Sequence, residues 1–62
     1  MIYRHPRWKD KHYSVVNNGM GVWTLREFIN RVPNTELTLS TEEKIMFEQR
    51  LKENGWNEQL RR

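Results

Sequence analysis

The chain predicts a small, single-domain α+β fold, and three observations carry that expectation. Asn17-Asn18-Gly19 stands between the apolar runs Tyr13–Val16 and Met20–Trp23, a hairpin signature because both turn residues tolerate positive φ. Two Ser/Thr-x-x-Glu boxes, Thr24/Glu27 and Ser40/Glu43, precede apolar residues and mark two helix starts. Sixty-two residues without cysteine leave room for one core, with no disulfide to reinforce it.

Residues 1–10 have no clean period, and Pro6 removes a backbone donor, so they read as an extended arm with a short edge strand at Ile2–Arg4. The hairpin spans about 11–24. A two-residue Asn18-Gly19 turn pairs Val15 with Val22, whereas a three-residue turn bulged at Gly19 pairs Val16 with Met20; the bulged form is favoured. A first helix is expected over about 25–32, with Thr24 as N-cap and Trp23 stapled to Phe28. Its stripe is Leu25, Phe28, Ile29 and Val32, and Pro33 ends it. Glu36–Leu39 alternates and reads as a short strand or extended segment, 36–39. A second helix follows over about 41–54, capped by Ser40 and Glu43 and closed by Asn54-Gly55, with Trp56 folding back on Leu51. Residues 57–62 form a polar tail. The whole of 1–62 is one domain.

The seven aromatics (Tyr3, Trp8, Tyr13, Trp23, Phe28, Phe47, Trp56) are the largest apolar surfaces available, and most belong to the core or its rim. Phe47 and Leu51 share one face of the second helix, from which Ile45 points away. Ile45 near the helix start has an ordinary explanation in a loop or arm contact. The functional alternative is a partner-docking patch of Ile45 and Met46, joined by Trp56 and rimmed by Trp8.

Catalytic and metal chemistry find little support. Asp10, His12 and Ser14 are the residue types of a nucleophilic triad, but alternate strand residues stand ~6.8 Å apart and do not converge. His5 and His12 match no metal-ligand spacing, and Gly19-Met20-Gly21 lacks the rest of a phosphate loop. No enzyme activity, metal or cofactor is expected. No apolar run is long enough for a membrane helix, and Met1-Ile2-Tyr3-Arg4 begins no signal peptide, so a cytoplasmic protein is expected.

The remaining signal is electrostatic. The chain carries a formal +3, and residues 1–13 hold Arg4, Arg7, Lys9 and Lys11 against Asp10 alone, interleaved with Tyr3, Trp8 and Tyr13. Cations beside aromatics suit nucleic acid, and Arg26 and Arg31 extend the set if the first helix lies near the arm. Four cations also keep a small domain soluble with no further role. The leading expectation is therefore a non-enzymatic protein-interaction module that binds and modulates or inhibits a larger macromolecule. Phages and mobile elements encode accessory regulators of this kind. The alternative is nucleic-acid binding through Arg4, Arg7, Trp8, Lys9, Lys11, Arg26 and Arg31. A homodimer through the Leu37–Leu39 edge or through the second helix is a further assembly the pattern allows.

Overall fold

The structure, a computed structural model, describes residues 1–59, so Leu60, Arg61 and Arg62 of the expected polar tail lie outside the described residues. Strands β1 (Ile2–Arg4), β2 (Lys11–Gly19), β3 (Val22–Ile29) and β4 (Val32–Ser40) precede helix α1 (Thr41–Glu53), and β5 (Asn57–Gln59) follows it. The five strands form one antiparallel sheet in the order β4-β3-β2-β1-β5. Helix α1 covers one face. The α+β class is as expected.

The helix expected over 25–32 is not there; Val22–Ile29 is the central strand β3. Leu25, Phe28, Ile29 and Val32 fit a helical stripe, but the segment is also rich in Val, Trp, Thr, Phe and Ile, which suit a pleated surface. A helix of eight residues buries one stripe and is marginal alone. As a strand the same residues gain ladders on both sides, pairing Leu25 with Val15 of β2 and with Leu37 of β4. Tertiary pairing overrides the local cap signals. Thr24 is buried and its hydroxyl accepts from the Asn18 side chain, while Glu27 accepts from the Tyr13 hydroxyl at 2.7 Å instead of closing a capping box.

The β2–β3 turn also sits two residues later than expected. Met20 and Gly21 form it, with φ of 55° and 74°, the two positive values a type I′ turn requires. Val16 pairs with Thr24 and Gly19 with Val22, and the irregularity between Asn17 and Gly19 leaves Asn18 unpaired. A second tight turn, Asn30-Arg31 (φ 52° and 68°), joins β3 to β4. The expected 36–39 strand is part of the nine-residue β4, which begins four residues earlier and carries Pro33. Proline is tolerated because β4 is an edge strand, next to an irregularity where Phe28 pairs with Pro33 and Glu27 with Thr35.

The C-terminal helix is as expected. Ser40 accepts from the Glu43 amide at 3.2 Å, and the Glu43 carboxylate accepts from the Ser40 amide at 2.9 Å. At its far end the Gly55 amide donates to Lys52 and the Trp56 amide to Leu51, the paired bonds of a Schellman ending, with Gly55 at φ 92°. That reversal sends residues 57–59 back along β1. The strand at Ile2–Arg4 is therefore an interior strand between β2 and β5, and the expected edge has become part of the sheet. The core lies between α1 and the sheet: Tyr3, Val15, Leu25, Leu51 and Trp56, with Tyr13, Trp23, Leu39 and Phe47 packed around them.

Candidate binding surfaces

Side chains alternate across a strand, so the residues next to the core set face the other way. Tyr3, Tyr13, Val15 and Leu25 point at the helix. Arg4, His12, Ser14, Val16, Arg26 and Phe28 therefore line the opposite face, which no element among the described residues covers. The pairing aligns Arg4, His12, Phe28 and Pro33 in one row across four strands. Within it the His12 and Phe28 rings stack in parallel, centroids 4.6 Å apart and planes 3° off.

Beside that stack is a hollow of about 260 Å³ lined by Arg4, Lys9, Asp10, His12, Asn30 and Arg31. The Asn30 amide donates to the Asp10 carbonyl at 2.7 Å, tying the β3–β4 turn to the loop that carries Lys9. His12 titrates below its ordinary range, chiefly because burial disfavours its charged form, with Arg4 and Arg31 adding repulsion. Ion pairs among the described residues join Lys11 to Glu27, Arg26 to Glu36 and Lys44 to Glu48; none involves Arg4, Lys9 or Arg31. A broader depression of about 860 Å³, with Ile2, Arg4, Ser14 and Val16 in its lining, continues the same face.

Of the expected partner-docking set, Trp56 is not available at the surface. Trp56 is 8% exposed, held edge-on against His5 and Tyr13 with centroids 5.2 and 4.8 Å away. Trp8 is 51% exposed in the β1–β2 loop, while Ile45 and Met46, 48% and 57% exposed, lie on the outer side of α1. Trp56 is thus a core residue. It belongs to the same core cluster as Leu51, the apolar contact that often accompanies a Schellman ending.

The basic set divides. Arg4, Lys9 and Arg31 converge on the hollow. Lys11 sides with the helix layer, 3.4 Å from Glu27. Arg26 reaches the open face but is spent on Glu36, at 2.6 Å. Arg7 and Trp8 stay in the loop outside the hollow's lining. Sequence reasoning missed Phe28, His12 and Asn30 as members of this surface. Reading 22–29 as a strand with its turn at Met20-Gly21 would have found the first two, because that register sets Phe28 opposite His12.

The other conspicuous surface is β4. Eight of its nine residues are exposed, and among the described residues its outer side has no neighbouring strand. Pro33 and the irregular pairing beside it protect only its beginning. Among the described residues no group of three His, Cys, Asp or Glu side chains could hold a metal ion, and no helix is long and apolar enough to cross a membrane. Comparison with protein-family models, with curated proteins and with solved structures returns no match to this chain.

Proposed function

We propose that the chain is a non-enzymatic protein-interaction module that takes an extended segment of a larger partner as an added strand along β4, and so modulates or inhibits that partner. The observation that carries this reading is the nine-residue edge strand, exposed at all positions but Leu39, with no strand among the described residues paired to its outer side. Such an edge supplies main-chain hydrogen bonds to any extended segment, and alternate side chains of the strand set its preference. From Thr35 to Ser40 the only charged side chain is Glu36, and Leu37 is half-exposed toward the helix layer. The occupant is therefore an extended protein segment with an apolar residue to set beside Leu37. Within this reading the chain acts in the cytoplasm as an accessory regulator of the phage or mobile-element type.

The test is hydrogen exchange on the complex with a protein captured from extract after nuclease treatment. Strand addition slows exchange of the amides between Thr35 and Ser40 and survives moderate salt, and Leu37→Lys weakens capture while the free protein stays folded. A complex in which those amides exchange as fast as in the free protein overturns the reading. A second reading, nucleic-acid binding, is favoured by a separate observation: Arg4, Lys9 and Arg31 converge on one hollow without forming an ion pair among the described residues.

A further inference from the structure

We infer that the hollow bounded by Arg4, Lys9, His12 and Arg31 is a phosphodiester-binding site for single-stranded nucleic acid, with the His12–Phe28 stack as its base-contacting wall. The inference rests on the second reading above and is independent of strand addition at β4. Three side chains from three separate segments bring permanent positive charge to a volume of about 260 Å³: Arg4 from β1, Lys9 from the following loop and Arg31 from the β3–β4 turn. Among the described residues a single carboxylate, Asp10, shares the lining. Like charges gather at a cost unless an anion offsets them, and guanidinium forks match phosphate oxygens.

The turn supports the same conclusion independently. Arg31 sits at φ 68°, in the second position of a tight β-turn, where glycine or asparagine is the comfortable occupant. A bulky cation placed there bears a backbone cost. Its place in the hollow's lining gives the residue a use. A free phosphate would need only the cations. The stacked rings next to them, together with the continuation of the open face past Ser14 and Val16, favour a polymer whose bases lie along the sheet.

Arg31→Gly supplies a clean test, because glycine relieves the positive φ while removing the cation. Fluorescence anisotropy with a labelled twelve-residue oligothymidylate, titrated at several sodium chloride concentrations, should show saturable binding by the native chain. Removing one contact from a single strand lowers the salt slope by about 0.7, which is about a fivefold loss of affinity at 0.1 M salt. Arg31→Gly and Arg4→Gln should each show this loss, Asp10→Asn should bind more tightly, and Arg50→Gln on α1 should bind as the native chain does. The thermal midpoint of Arg31→Gly should be no lower than native. Equal binding by native protein and Arg31→Gly overturns the site. So does competition by polyglutamate or inorganic phosphate as effective as that by unlabelled oligonucleotide. Loss of oligonucleotide binding with β4 protection intact would leave strand addition standing.

Discussion

Glu48 is a charged residue buried on the helix, and its surroundings explain why. Lys44, one turn earlier, lies 2.7 Å from one carboxylate oxygen, and the Tyr3 hydroxyl donates to the other. Burial alone would raise the Glu48 pKa, but the hydrogen bonds from Lys44 and Tyr3 outweigh it and hold the carboxyl below its ordinary range. Tyr3 is pushed up by burial and by the same carboxylate, so the pair keeps its proton on the phenol. Lys44 also lies 4.3 Å over the Trp23 ring, which extends the network to β3. Replacing Glu48 with Gln leaves Lys44 without its carboxylate and should cost about 2 kcal/mol in urea unfolding at neutral pH. A carboxyl depressed in the folded state contributes stability that is full above the ordinary carboxylate range and is lost as pH falls through the folded value. Glu27, lowered chiefly by its hydrogen bonds from Tyr13 and Asn34, behaves in the same sense. The difference in stability between native and Glu48→Gln chains should therefore shrink as the pH drops below about 4, and a constant difference would exclude this account.

At the scale of elements, the informative contrast is between the two capping boxes. Ser40 and Glu43 cap α1 as their spacing predicts, and Gly55 closes it, because nothing else competes for those residues. Thr24 and Glu27 have the same spacing, yet β2 offers Tyr13, Val15 and Asn17 as partners to the segment that contains them. Local signals were readable for every turn of α1; what the sequence does not display is which flanking strand will pair with a short apolar segment. The cationic hollow was half legible for the same reason. The charge of Arg4, Lys9 and Arg31 can be counted, but their convergence depends on β3 being a strand and on Asn30-Arg31 being a turn. Met20 offers a test of the turn geometry. It is fully exposed at φ 55°, so Met20→Gly should remove the steric cost of that conformation and raise stability by about 0.5 kcal/mol. A lower denaturation midpoint for that variant would mean the turn is not of the primed type.

Across the whole molecule, β2, β3 and β4 form a meander whose neighbours are consecutive in the chain, whereas β1 and β5 join residues from its two distant parts. Protection should follow this division. In native-state hydrogen exchange the amides of β2 and β3, paired on both sides and bearing Val15 and Leu25, should be the slowest, and those of β5 among the fastest. Uniform protection over all five strands would show instead that the sheet opens as one unit.

The pairing of β1 with β5 also sets an order of assembly. Tyr3 is fully buried, yet one flank of its strand is completed only by residues 57–59, and its hydroxyl meets Glu48 on a helix made late. Translation runs from the amino end, so β1 is made about fifty residues before β5, the strand that seals its other flank. A released chain truncated before residue 57 would hold the meander beside an open seam, and restoring residues 57–59 would close that seam.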